Sequence, residues 1–206
     1  MKRLVQALLI VLVAVGLAAG AAMYSVSRRG LSTRAEPSWI EEVLARTMRR
    51  LATPAALRSM ANPVEPSADV MAEALGHFAD HCAGCHANDG SGQTSLGQSL
   101  YPQAPDMRTA ATQSLADGEL FSIIENGIHL TGMPGWGDGT PEGERASWGL
   151  VHFIRHLPLL TAEEIERMEA LNPKTPAQFR EEEEARRFLA GEDPPPGPAP
   201  PQGHEH

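Results

Sequence analysis

The sequence has very little cysteine: only Cys82 and Cys85 occur among its 206 residues. So few cysteines exclude a disulfide framework as the source of stability. Aromatic residues make up only 5% of the chain, which is lean for a small core. The sequence also lacks a block of basic residues and carries a net charge of −9, so we expect no nucleic-acid partner. No segment alternates apolar and polar residues as a half-buried strand would, which predicts an all-α fold.

Both cysteines belong to the pentapeptide Cys82-Ala83-Gly84-Cys85-His86. C-x-x-C-H is the signature for covalent attachment of a c-type haem. Positions i, i+3 and i+4 share one face of a helix, so the two thiols can bond the haem vinyl groups while His86 reaches the iron. A redox-active cysteine pair would need a βαβ context, and a zinc site would need further ligands, and the sequence indicates neither. We predict one covalently bound haem c.

Haem iron in an electron carrier commonly has methionine and histidine as its two axial ligands. Met133 is the predicted partner of His86, because it lies in the loop-forming sequence Thr131-Gly132-Met133-Pro134-Gly135-Trp136. Met107 is a weaker candidate, since little chain separates it from His86. His129 is the remaining alternative, whereas His77 and His81 lie on the predicted motif helix. Two further pairs could bind a separate metal: His152 with His156, and His204 with His206.

The N-terminal segment from Leu4 to Ser27 contains no charged residue and is long enough to span a hydrocarbon core of about 30 Å. Basic residues precede and follow it. Ala19-Gly20-Ala21 would suit cleavage of a signal peptide, but the apolar core of such a peptide is usually only about 7–15 residues. The length therefore favours a retained, single-pass membrane anchor.

Four regions are predicted: a membrane anchor at 1–29, a helical stalk and linker at 30–66, a haem domain at 67–160, and a charged helix with a proline-rich disordered tail at 161–206. The stalk helix, interrupted near Pro54, either rests on anionic lipid or a partner or packs on the domain. The other predicted helices cover 68–87 after an N-cap at Ser67, 116–125, 144–157, a segment that begins with a capping box at Thr161, and a tail helix that ends near 190. Long loops at 93–112 and 127–143 separate them.

With these motifs in place, residues from about Ala68 to Leu157 resemble the class I cytochrome c family. In that family a first and a last helix cross and pack, and Phe78 resembles the aromatic residue of the first. Leu150 and Phe153 resemble its partners on the last helix. The residue Ala74 stands where the family often has a glycine. The resemblance also implies that a proline carbonyl, from Pro102 or Pro105, accepts the hydrogen of the axial histidine.

The resemblance implies an electron carrier rather than an enzyme, with no small-molecule substrate. It would pass single electrons between membrane-associated or periplasmic redox partners. Because haem attachment in such bacterial proteins occurs outside the cytoplasmic membrane, the haem domain is expected on the periplasmic side. Two alternatives stay open: a haem-bearing subunit of a larger dehydrogenase or oxidase, and a peroxidase or gas-binding protein with a labile methionine ligand.

Overall fold

A computed structural model describes residues 2–30, 32–33, 35–174 and 176–191. This part of the chain is helical and contains no strand, which confirms the predicted fold class. The proline-rich tail and the pair His204 and His206 lie outside the described residues.

The N-terminal region consists of three helices that precede the haem motif. Helix α1, Lys2–Arg29, contains an apolar stretch with the length of a membrane span, and none of that stretch is buried. Helix α2, Trp39–Ala52, begins at a capping box in which the Ser38 N–H donates to Glu41 at 2.7 Å. A short helix α3, Ala55–Arg58, follows Pro54, so the predicted stalk helix is broken where proline was expected to break it.

Two long helices form the centre of the domain. Helix α4, Ala68–His77, begins at Ser67, whose side chain accepts the N–H of Val70 as predicted. It crosses α8, Pro141–His156, which begins three residues before its predicted start because Thr140 caps it and proline suits the first turn. The remaining helices are α5 (Ala83–His86), α6 (Ala110–Gln113), α7 (Asp117–Asn126), α9 (Ala162–Leu171) and α10 (Pro176–Ala190).

The crossing of α4 and α8 depends on small residues and one aromatic pair. A Cβ added to Gly149 of α8 would lie 3.4 Å from the Val70 side chain and 3.8 Å from that of Ala74, which are ordinary packing distances, so this glycine faces the small residues of α4 without being required there. The rings of Phe78 and Phe153 lie 5.2 Å apart and tilted by 52°, and both side chains are fully buried. Such aromatic pairs stabilise a core beyond their buried area. Phe153, one of the two partners expected for Phe78, therefore packs on it, and Leu150 belongs to the same buried cluster.

Helix α9 also packs on this core. Thr161 and Glu164 form its predicted capping box, and Met168 is fully buried with the residues of α4 and α8. His156 at the end of α8 contacts Glu164 at 2.9 Å and joins the two helices. The sequence predicted that the haem domain ends at residue 160, which leaves α9 outside it. Met168 of α9 nevertheless belongs to the core of this domain.

Candidate haem-binding site

The motif helix is not one regular α-helix, although its overall extent matches the prediction. Between α4 and α5, residues Phe78–Cys82 form a π-helical turn in which the Ala83 N–H donates to the Phe78 carbonyl. The Ala79 carbonyl thereby loses its usual α-helical partner. The Asn172 side chain, oriented to satisfy its neighbours, donates to Ala79 at 3.1 Å and pairs with Asn88 at 2.9 Å. A residue beyond α9 thus stabilises the turn that enters the haem motif.

The pentapeptide itself lies at the end of this turn and in α5. Cys82 and Cys85 are both free thiols and both half-buried. Burial, with a smaller contribution from Cys85, raises the pKa of the Cys82 thiol to about 12. Cys82 is thus an uncharged thiol at neutral pH. The motif ends at Ala87, whose φ of 60° turns the chain sharply away from the helix.

His86 presents one ring nitrogen to the protein interior. Its Nδ1 atom is buried and has no hydrogen bond of good geometry, yet the Pro105 carbonyl acts on the ring as an acceptor. Burial lowers the pKa of the imidazole, and Pro105 opposes that effect. A neutral imidazole with its proton on the buried Nδ1 offers Nε2 as a metal ligand. Of the two candidate prolines, Pro105 occupies the expected place.

Two neighbouring loops bring Pro105 to this position. Gly92, at a φ of +72°, donates its N–H to the His86 carbonyl at 2.8 Å. A Cβ on Gly92 would overlap the Ala104 carbonyl oxygen, so only glycine lets the second loop pass this closely. Arg108 then bridges Asp89 at 2.8 Å and Asp106 at 2.9 Å, which ties the two loops together.

Met107 belongs to the same side of the site as Pro105. Its side chain is buried in the core and its N–H donates to the Gly90 carbonyl at 2.9 Å. Because its side chain belongs to the buried core cluster, Met107 is interpreted as a core methionine rather than as a haem ligand.

A third loop closes over the motif helix. The Thr94 hydroxyl donates to the carbonyls of Gly84 at 2.8 Å and Cys85 at 3.1 Å. A Cβ on Gly97 would overlap the Cys85 carbonyl oxygen, so this loop lies directly against the motif. It continues to Leu100, which contacts Gly132 next to Met133; a Cβ there would lie 2.7 Å from the leucine side chain.

Met133 lies in an irregular loop that is held by its own backbone. Its carbonyl accepts the Ile128 N–H at 3.1 Å, and its N–H donates to the Thr131 hydroxyl at 3.1 Å. Helix α7 ends at Gly127, whose φ of +67° starts the loop, and the Met133 side chain is half-buried. The loop then returns along α7, where the Trp136 N–H donates to Ile124 at 2.9 Å.

The methionine loop and the motif helix border one cavity. Cys82 and Trp136 both line it, together with His77, His81, Ala146 and Leu150. The indole of Trp136 stacks on His81 with ring centres 5.0 Å apart and planes tilted by 21°. Trp136 is three residues beyond Met133, so the two chain segments that carry the predicted haem ligands approach each other at this cavity.

The other histidines have partners or positions that do not suit iron ligation. His129 is exposed on the turn before Met133. His152 Nε2 lies 2.6 Å from the Val64 carbonyl, whereas His156 contacts Glu164, so these two side chains serve different contacts. Among the described residues, no cluster of three or more histidine, cysteine or acidic side chains could hold a metal ion.

The donor set suits haem c. Two free thiols flank a helix turn, the half-buried His86 ring has the Pro105 carbonyl as an acceptor, and the Met133 thioether lies in a glycine-rich loop. Sequence reasoning named these four residues, and their role in haem binding stays a prediction. It did not find Thr94 or Asn172, which support the motif through carbonyls distant in sequence and carry no local signal.

Residues 69–154 match the family model described as "Cytochrome C oxidase, cbb3-type, subunit III". The matched segment begins in α4 and ends in α8, and it contains the pentapeptide and Met133. A search of curated proteins found no match. The family match agrees with the resemblance that the motifs carry, and residues 69–154 form a c-type cytochrome domain behind an N-terminal apolar helix.

Proposed function

We propose that this protein is a membrane-tethered monohaem cytochrome that passes single electrons between redox proteins at the outer face of a bacterial cytoplasmic membrane. The observation that carries the proposal is that Cys82 of the haem motif and Trp136, three residues beyond Met133, line one cavity, while the Pro105 carbonyl is an acceptor for the His86 ring. When bound, haem supplies a one-electron iron couple, and methionine ligation favours a high potential.

The chain's own residues would act by holding and enclosing the cofactor. Cys82 and Cys85 would hold the haem covalently through their sulfur atoms. His86 Nε2 and Met133 Sδ would bind the haem iron. The Pro105 carbonyl would orient the imidazole and raise its basicity. Closed ligation leaves no open position for a substrate, which favours electron transfer over catalysis.

Helix α1 supports the tether. It is apolar throughout the length of a span, and the cytochrome domain lies on its C-terminal side. Anchoring would keep the domain near membrane redox complexes and raise its effective concentration there. A cleaved signal sequence has the same pattern, and the membrane-extraction experiment described below separates the two.

Replacement of the proposed distal ligand tests the function directly. In Met133→Ala we expect loss of the weak long-wavelength absorption that methionine–iron bonding produces, and binding of carbon monoxide by the reduced protein at neutral pH. Met60→Ala is the matched control, because Met60 is 45% exposed and lies outside the cytochrome domain. Retention of the band in Met133→Ala would exclude Met133 as the ligand.

Covalent attachment is tested by acidified organic solvent. Haem should stay with the wild-type chain and should be extracted when both cysteines are changed to alanine. Extraction from the wild type would contradict haem c.

A second candidate function is that of a haem-bearing subunit in an oxidase. The description of the matching family, an oxidase subunit, favours this alternative. Purification in a mild detergent distinguishes the two: a free carrier runs at the mass of its own chain, and a subunit runs in a stoichiometric complex with other chains.

A further inference from the structure

Helix α2 presents an uncovered apolar face between the membrane helix and the cytochrome domain. Its six large apolar side chains are each 57–76% exposed: Trp39, Ile40, Val43, Leu44, Met48 and Leu51. With about 100° of rotation per residue, they occupy roughly half of the helix circumference. None of the residues of α2 is buried. The alternative in which this helix packs its apolar face on the domain is therefore wrong.

Contacts at and beyond the ends of α2 hold it beside the domain. Near its start, the Tyr101 hydroxyl donates to Glu41 at 3.2 Å. Beyond its C-terminus, Thr53 is buried and the Leu57 backbone lies against Gly118 of α7 so closely that a Cβ on Gly118 would overlap it. Polar and backbone contacts thus position the helix. They leave its apolar face uncovered by the described part of the chain.

We propose that α2 lies in the membrane–water interface with this face in the lipid. The proposal rests on α1 being a retained anchor. Only residues 30–38 separate the two helices, and nine residues reach at most about 30 Å, so α2 stays close to the membrane surface. A short amphipathic helix with tryptophan and leucine on one side and arginine on the other is the pattern of interfacial helices.

The charges favour anionic lipid as the surface. The segment 39–58 contains four arginines and two glutamates in a chain whose net charge is −9. Arg46 and Arg49 lie on the polar side of the helix, and Arg50 lies at the edge of the apolar face beside Trp39, by helical position. Arginine side chains can bury their stems and keep the charge among headgroups.

This arrangement would orient the haem site toward the membrane. Tyr101, which contacts α2, adjoins Leu100, and Leu100 packs against Gly132 next to the proposed ligand Met133. The interfacial helix therefore lies on the side of the domain that carries the methionine loop. A carrier held in this way would exchange electrons with partners at the membrane surface rather than with distant soluble ones.

Nitroxide accessibility in the full-length holoprotein tests the inference. Single cysteines are introduced at Val43 on the apolar face, at Ala45 on the opposite face, and at Val13 in α1, in nanodiscs that contain anionic lipid. Oxygen concentrates in lipid and a neutral nickel chelate in water, so their relaxation effects report the surroundings of each label. We expect high oxygen and low nickel accessibility at positions 43 and 13, and the reverse at position 45.

The outcomes separate the two proposals. If position 13 is in lipid but position 43 is as open to nickel as position 45, the interfacial helix is wrong and the anchor stands. Exclusion of both reagents at position 43 would mean that protein, a second copy or a partner, covers α2. If position 13 is not in lipid, the anchor fails and the inference fails with it.

Discussion

Single glycines decide how closely the loops of this domain approach the haem motif. At Gly92 a positive φ and contact with the Ala104 backbone occur together, and this position sets the path of Pro105 toward His86. Gly139 has a similar φ of +74°, but nothing lies within 4 Å of the space that a side chain would fill. A comparison of the two glycines therefore separates the cost of backbone strain from the cost of steric overlap with a neighbouring loop.

Alanine at both positions should show this difference. Gly139→Ala should lose only the cost of a positive φ, about 1–2 kcal/mol. Gly92→Ala should lose a further ~1–3 kcal/mol through overlap with Ala104, and its haem spectrum should change because Pro105 moves from His86. Denaturant unfolding followed by haem absorbance measures both free energies. Equal losses for the two variants would refute the role given to Gly92.

At the scale of elements, regular helices and their caps follow local sequence, whereas departures from regularity follow tertiary contacts. Ser67, Thr140 and Thr161 each cap the helix that follows them. The π-helical turn before the motif has no local cause of this kind, and Asn172 satisfies the carbonyl that it releases. Asn172, which caps α9, thus supports the turn before the haem motif from outside the segment that matches the family model.

The docking of α9 should depend on pH through Glu164. Its hydrogen bond with Thr161, with a smaller contribution from His156, lowers the pKa of this carboxyl below its ordinary value of 4.5. Because the pKa is lower in the folded state, the Glu164 carboxylate stabilises the protein fully at pH values above its ordinary pKa. This stabilisation is lost as the pH falls through the lower folded-state pKa. Glu164→Ala should therefore cost about 1 kcal/mol at pH 7 and progressively less below pH 4.5.

Thermal unfolding at pH 7 and at a pH below 4.5 measures the loss of stability in Glu164→Ala. Glu163→Ala is the control, because it removes an exposed acidic side chain from the same helix turn and leaves the capping box intact. A loss for Glu164→Ala that does not change with pH would contradict the role of its charge.

At the scale of the whole molecule, the chain divides between a helix suited to lipid and a domain suited to water. Helix α1 exposes its apolar side chains along its whole length, which in water would be strongly unfavourable. The cytochrome domain instead has a buried core of large apolar side chains from α4, α7, α8 and α9.

Alkaline carbonate extraction of membranes should leave the full-length protein in the pellet. This treatment releases proteins that are held only by charge contacts at the surface, whereas a spanning helix stays in the bilayer. A variant that lacks residues 4–27, exported by a separate cleavable signal, should be released. The mass of the purified chain provides the control: a mature N-terminus after Ala21 together with release of the wild type would identify a cleaved signal and contradict the anchor.

The sequence by itself determined the helical class, the caps at Ser67 and Thr161, the break at Pro54 and the cytochrome domain, and it predicted the four candidate haem residues, because each depends on local spacing or local backbone chemistry. Only the tertiary structure decided that Pro105 rather than Pro102 faces His86, that Gly149 meets Ala74, and that Asn172 supports the π-helical turn. These contacts join residues far apart in the chain, and no local pattern encodes which distant carbonyl or methyl group a side chain will meet. The motif Cys82-Ala83-Gly84-Cys85-His86 thus specifies the chemistry of the site, while packing determines what holds it in place.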